Sequence, residues 1–316
     1  MSDGSLVLYE VADRVARLTL NRPERGNAIT RGLIDELVAC VQRADLDPSV
    51  HVLVLSGAGT GFCGGYDLIE SAEGIGGEDE IGGGRDGRRE GSGAAAPAGS
   101  PLDPAVMAAN HDPRGTWDPM VDYAMMSRNV QGFMALLSCG KPVVCSVHGF
   151  CVAGGTDMAL CSDLLVIAED AKIGYPPARV WGSPTTALWA QRIGAQRAKR
   201  LLFTGDSLSG AEALEWGLAI AAPPAELLAK RTDALVERIA RMPVNQLMMM
   251  KLLVNETLHA QGLHASQVLG TVFDGIARHT AEGYAFQRDA AQHGFREAVR
   301  GRDEPFGDVG RSTFKG

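Results

Sequence analysis

The stretch Val147-His148-Gly149-Phe150-Cys151-Val152-Ala153-Gly154-Gly155-Thr156-Asp157-Met158-Ala159-Leu160 constrains this chain more than any other. A valine-rich run from Lys141 enters it, small residues fill its middle, and an apolar, helix-compatible segment carrying one carboxylate, Asp157, leaves it. That order reads as a strand, a tight turn and a helix start. A helix that opens on two glycines lets a ligand approach its free N–H groups, and its dipole favours negative charge there. The expectation is an anion or oxyanion site at Gly154.

A second stretch of the same kind lies upstream. Residues 50–55 form a mostly apolar strand of the sort buried on both faces, and they lead into Ser56-Gly57-Ala58-Gly59-Thr60-Gly61-Phe62-Cys63-Gly64-Gly65-Tyr66-Asp67-Leu68. Two glycine-rich turns after two strands suggest a shared task, each aiming one backbone N–H at the same oxygen. Neither is a nucleotide fingerprint: Gly59-Thr60-Gly61 lacks the dinucleotide spacing, and no Gly-Lys-Ser/Thr phosphate loop occurs.

Around these turns the pattern predicts a β/α core. Residues 6–11 and 15–20 read as a hairpin at a sheet edge, and Thr30 as the N-cap of a helix to about residue 43. Residues 71–116 are rich in glycine and poor in apolar periodicity, and are expected to be a mobile insertion. Helical spacing resumes over 117–137, with Met120, Tyr123, Ala124, Val130, Phe133, Met134 and Leu137 as the buried stripe. Short strands are expected at 164–168, 172–175 and 218–221, with Pro176-Pro177 enforcing extended chain. Helices are predicted at 185–193, 195–204 and, after a turn at 205–209, 210–216 with Ser209 as N-cap. Beyond Pro224 the chain is nearly all helix: 225–241, 244–258, 265–278 and 281–299. The domains are therefore a core over 1–222, interrupted by the insertion, and a helical region over 223–316.

Composition narrows the class. A 316-residue chain can bury a sizeable core. A formal net charge of -8 argues against bulk nucleic-acid binding and leaves room for small anionic ligands. The six cysteines (40, 63, 139, 145, 151 and 161) have no Cys-x-x-Cys pair and no zinc spacing, so they read as reduced cytosolic thiols and no metal is expected. No signal segment and no run of membrane-spanning length is seen, so the expected location is cytoplasmic.

Four motifs together carry a resemblance to a known family. They are Asn21-Arg22-Pro23 with Asn27-Ala28; Gly57-Ala58-Gly59 through Gly65-Tyr66-Asp67-Leu68; residues 149–160; and Phe295-Arg296-Glu297-Ala298 with Pro305-Phe306-Gly307. The chain resembles the crotonase superfamily, that of enoyl-CoA hydratases and isomerases, over most of its length outside the insertion. The resemblance implies an α/β fold, a crotonase-like spiral of ββα units with a helical C-terminal trimerisation region, assembled as a trimer or a dimer of trimers. It implies an acyl-CoA substrate, a role in fatty acid metabolism, and no cofactor beyond the coenzyme A that the substrate carries. The thioester carbonyl would sit between the N–H groups of Tyr66 and Gly154, with Asp157 as the catalytic carboxylate. Coenzyme A would lie against Arg25, Gly26, Ala28, Gly65, Asp67 and Leu68, with Arg300 or Arg302 near its phosphates. Tyr175 and Arg179, which flank the position of the family's second glutamate, would contribute to substrate binding.

The physical reason for two N–H donors stands without the family. Removing an α-proton, or adding to the β-carbon, puts negative charge on the thioester oxygen, and each preorganised donor is worth roughly 3 kcal/mol. The acid/base set departs from the hydratase pattern. A hydratase of this type uses two glutamates; here the first position is Asp157 and the second, by spacing, is Pro177. Single-base chemistry such as double-bond isomerisation remains available to Asp157. The alternatives are a silent acyl-CoA binding protein, or a hydrolase or decarboxylase of the same superfamily.

Overall fold

The structure is a computed structural model and describes residues 4–67 and 99–307. The strands form two sheets, between which the chain passes from residue 147 onward. The larger has the order β1-β2-β3-β4-β6, formed by β1 (Val7–Ala12), β2 (Val15–Leu20), β3 (Val52–Gly57), β4 (Val143–Val147) and β6 (Leu164–Ile167). The smaller is β5 (Phe150–Val152), β7 (Lys172–Gly174) and β8 (Ser207–Ser209). β1 and β2 pair antiparallel, whereas β2, β3, β4 and β6 run parallel, so the chain crosses over on a helix between neighbours. The passage from β4 to β5 and into α4 (Gly154–Leu160), then back to β6 and β7, is one repeat of a ββα spiral.

The apolar runs of β3 and β4 follow from this topology. Val52, Leu53, Val54 and Leu55 are buried, as are all five residues of β4, because helices cover both faces of the parallel sheet. One cover is α1 (Arg31–Leu46), whose Thr30 cap accepts the Leu33 N–H and whose Leu33, Ile34, Leu37 and Val41 face inward. Another is α8 (Leu228–Ala240), which packs on β2, β3, β4 and β6.

Several sequence expectations shift in the folded chain. Of the expected insertion, residues 71–98 lie outside the described residues, whereas α2 (Pro104–His111) is a capped helix that buries Val106, Asn110 and His111. Capping by Asp103 and proline at the first turn form it despite its weak apolar periodicity. In α3 (Pro119–Ser138) the buried side is Val121, Asp122, Met126, Val130, Phe133, Leu136 and Leu137, and Met120 is exposed. Pro176-Pro177 form not extended chain but a 3-10 turn, Pro176–Arg179, because a fixed proline φ suits the first turn of a helix. The helix predicted from 185 begins only at α5 (Trp189–Ile193), and α6 (Ala195–Thr204) follows it. Residues 205–209 supply β8 and the capping box of α7 (Gly210–Glu215). The strand expected at 218–221 reduces to one bridge, Ala221 with Val166. After α9 (Val244–Ala260) and α10 (Leu263–Arg278), the final helix is two, α11 (Ala281–His293) and α12 (Phe295–Asp303), broken at Gly294 where φ is 86°.

Asn27 ties the first turn of the spiral together. It is fully buried at φ 54°, its Oδ1 accepts the Arg22 N–H at 2.9 Å, and its Nδ2 donates to the carbonyls of Ala58 at 2.8 Å and Gly61 at 3.0 Å. Asn27→Ala leaves three buried backbone groups unpaired. We expect it to lower unfolding free energy in urea by about 2–4 kcal/mol.

Candidate active site

The two glycine-rich turns lie side by side, joined by backbone hydrogen bonds. The Phe62 and Cys63 N–H groups donate to the Phe150 carbonyl at 2.9 and 3.2 Å, and the Val152 N–H returns to the Cys63 carbonyl at 3.1 Å. Glycine is required at this junction for packing. A Cβ on Gly155 would fall 2.6 Å from the Cys63 carbonyl oxygen, and one on Gly154 would fall 2.7 Å from the Tyr66 ring. Gly65 adopts φ 99°, a region closed to most side chains, with Ala153 against it. Ala153 itself sits at φ 54°, ψ -130°, held by its N–H to the Gly174 carbonyl at 3.1 Å. Such a non-glycine conformation costs about 1–3 kcal/mol and persists only where the surroundings impose it. Gly154 and Tyr66 thus come together, and neither backbone N–H donates to an acceptor among the described residues.

Asp157 lies one turn into α4 and is fully buried. Its Oδ1 accepts both the Thr186 N–H at 3.0 Å and the Thr186 hydroxyl at 2.6 Å. These bonds explain why α5 starts late: Thr186 is turned toward Asp157, and Ala187 follows at φ 54°. The Thr185 N–H is near the same carboxylate, yet no donor meets Oδ2 with hydrogen-bond geometry. Oδ2 and the Thr185 hydroxyl are buried polar atoms unpartnered by protein groups among the described residues, whereas the Tyr66 hydroxyl has the Asn129 side chain beside it. Buried groups of this kind call for a ligand or a function. Burial pushes the Asp157 carboxyl up to about 7; the Thr186 bonds oppose this and the charge of Asp274 adds to it. A carboxyl near neutrality can both take and give a proton.

The other expected residues divide into two groups. Tyr175 belongs with Asp157: its ring is buried, its hydroxyl donates to the Ser183 carbonyl at 2.7 Å, and its phenol is pushed up by burial and then by Asp157. Arg25, Gly26 and Ala28 meet Gly65 and Asp67, since the Gly64 N–H donates to the Gly26 carbonyl and the Ile29 N–H to that of Gly65. Asp67 is buried and pairs with Arg22 at 3.0 Å and Arg25 at 2.9 Å, so its carboxylate braces this loop. Leu68 lies outside the described residues. Arg179 does not join Asp157. It pairs with Asp303 at 2.9 Å and Asp206 at 3.4 Å, donates to the Thr204 carbonyl and lies over the Phe306 ring. It therefore clamps the C-terminal segment, and Arg302 is likewise paired with Asp303. Pro177, at the expected second acid/base position, accepts the Trp181 N–H through its carbonyl and brings no proton-transfer group.

Thr186 and Asp274 are the site residues that sequence reading missed. Thr186 sits in a segment that looks like a helix start. Asp274 sits on a C-terminal helix far along the chain, and nothing in the local pattern links it to Asp157.

Comparison with known proteins agrees with this geometry. The enoyl-CoA hydratase/isomerase family model matches residues 10–83 and 109–290. A crystal structure of an enoyl-CoA hydratase from Mycobacterium smegmatis is 55% identical, with a TM-score of 0.88 over 99% of this chain and 98% of that one. A crystal structure of an enoyl-CoA hydratase/isomerase from Xanthobacter autotrophicus Py2 is 25% identical, with a TM-score of 0.77 over 96% of this chain and 98% of that one. The 1,2-epoxyphenylacetyl-CoA isomerase of Escherichia coli (strain K12) is 28% identical over 79% of this chain and 81% of its own length. A match across most of the sequence, on a spiral that sets two glycine turns beside a buried carboxylate, means that the chain belongs to the enoyl-CoA hydratase/isomerase family of the crotonase superfamily.

Proposed function

We propose that the protein isomerises the double bond of an enoyl-CoA ester, with Asp157 as its single acid/base. The observation that carries this reading is the state of Asp157: buried, fixed through Oδ1 by Thr186, and unpartnered at Oδ2. Oδ2 takes a proton from C2 of a 3-enoyl thioester. The C2–H electrons move into the C1–C2 bond and push the carbonyl pair onto the thioester oxygen, where the Tyr66 and Gly154 N–H groups stabilise the dienolate; C2=C3 forms as the carbonyl returns. The same carboxyl returns the proton to C4, giving the 2-enoyl ester. No water is added and no cofactor is used, coenzyme A being part of the substrate. Pro177 supports this over hydration, which in the two-carboxylate scheme needs a second proton-transfer group. The Arg25, Gly26, Ala28, Gly65 and Asp67 loop is the coenzyme A side of the site.

The same reading includes a homotrimer or dimer of trimers in the cytoplasm. Met249, Leu252, Leu253 and Val254 of α9, and Leu269 and Phe273 of α10, are large apolar residues facing outward, each about half exposed or more. Exposed apolar residues of this kind suit contact with further copies of the chain. All six cysteines are free thiols, and no helix among the described residues is long and apolar enough to cross a membrane.

Four outcomes follow. Asp157→Asn should lower kcat/KM on 3-enoyl-CoA esters by about 10²–10⁴-fold. Mass spectrometry of the wild-type reaction should find product of unchanged mass, and a product heavier by one water would overturn isomerisation in favour of hydration. Stability should move the other way. The folded Asp157 carboxyl binds its proton more tightly than the ordinary carboxyl at 3.8, so its contribution to stability is present below that pH and lost as pH rises through about 7. The loss amounts to about 4 kcal/mol, from which Asp157→Asn is released, less the strength of the altered Thr186 bonds. Its Tm relative to wild type should therefore be higher at pH 8 than at pH 5 by calorimetry. Leu253→Glu should reduce the assembly to smaller species in light scattering, with the circular dichroism unchanged.

A further inference from the structure

Residues 183–186, which fix Asp157, are themselves held from the outside by α10. The Ser183 N–H donates to Asp274 Oδ1 at 3.3 Å, and Gln267 on the same helix face donates to the Thr186 carbonyl at 3.2 Å. Gly270, between them, lets the helix backbone close on the loop: a Cβ there would lie 2.9 Å from the Pro184 carbonyl oxygen. Positions 267, 270, 274 and 278 recur at helical spacing, so one stripe of α10 faces the site. From Asp274 the contacts continue outward. Arg278 reaches Asp274 at 3.3 Å and Asp122 of α3 at 3.1 Å. Asp122 also takes bonds from Asn110 at 3.1 Å, Trp117 at 2.8 Å and His279 at 3.0 Å.

We propose that Asp274 is a positioning residue for Asp157: it anchors the 183–186 loop so that Thr186 fixes Oδ1 and leaves Oδ2 to substrate. The proposal rests on the reading of Asp157 as the base. The groups facing Asp157 are Tyr66, Tyr175, Cys151, Cys161, Thr185, Thr186 and Asp274, and those facing Asp274 are Ser183, Tyr66, Tyr175, Arg278 and Asp122. Among these, Asp274, Arg278 and Asp122 are the charged neighbours. Burial, the largest effect on Asp122, is outweighed by His279, Arg278 and Trp117, which keep it ionised. Arg278 is therefore shared between two carboxylates, Asp274 and Asp122. Asp274 thus takes part through the loop, with both of its oxygens already in protein contacts.

The test is an infrared pH titration of the full-length protein, with the Asp157 carboxyl band identified by its loss in Asp157→Asn. In Asp274→Asn, whose uncharged amide no longer holds Arg278 and binds the Ser183 N–H less strongly, the Thr186 bonds that lower the Asp157 carboxyl loosen. These bonds outrank the Asp274 charge, so the midpoint of that band should rise by about half a pH unit or more. With 3-hexenoyl-CoA as probe, kcat should drop about 10-fold while KM stays within about twofold, the pattern of a displaced base rather than lost binding. A midpoint at or below that of wild type overturns the proposal. Should Asp274→Asn fail to fold by circular dichroism, Asp274→Ser, which removes the same charge with less bulk, is titrated in its place under the same criterion. The underlying reading fails separately: if Asp157→Asn turns the probe over as fast as wild type, Asp157 is not the base, whatever Asp274 does.

Discussion

Backbone hydrogen bonds between residues 62–63 and 150–152 bring two distant turns of the chain into one site. Each turn follows a buried parallel strand, and each must come within van der Waals contact of the other, which is why glycine stands at 65, 154 and 155. The register of β3 on β4 carries the turns to the same end of the sheet, and the Phe62, Cys63 and Val152 bonds then lock them. With that junction formed, the Tyr66 and Gly154 N–H groups are neighbours and Asp157 is one helical turn away. Removing the junction would leave two ordinary glycine loops.

Burial then determines what Asp157 can do. An exposed aspartate would be a weak base at neutral pH, whereas enclosure among Tyr66, Tyr175 and apolar atoms raises its affinity for a proton to the working range. Fixing only one oxygen gives direction as well: Thr186 holds Oδ1, and Oδ2 is left without a protein donor among the described residues. The site is costly to the fold, since it combines a buried carboxyl, a strained Ala153 and an unpartnered Thr185 hydroxyl. The surrounding core of β3, β4 and α1 offsets that cost through the hydrophobic effect.

Some of this was readable from residue order and some was not. The β1–β2 hairpin, the Thr30 cap, the strand into helix at 143–160 and the capping box at Ser209 are local patterns, and they appear close to their expected positions. The start of α5 was misread because the Thr186 N–H is drawn to Asp157, a tertiary bond that overrides local helix preference. Arg179 beside Tyr175 looked like a site residue, yet its guanidinium is turned to Asp206, Asp303 and Phe306. Adjacent residues in a tight turn point different ways, and spacing alone does not say which.

The sequence by itself determined the α/β alternation, the two glycine turns, the single carboxylate after the second turn and the proline where a second would stand. These are consequences of local periodicity and of which side chains carry protons. Only the tertiary structure decided that Asp157 is buried with one oxygen fixed, that Thr186 is what fixes it, and that Asp274 arrives from α10 to hold the loop. Burial, desolvation and contacts between residues far apart in the chain depend on packing in three dimensions, and packing leaves no local signature in the order of residues.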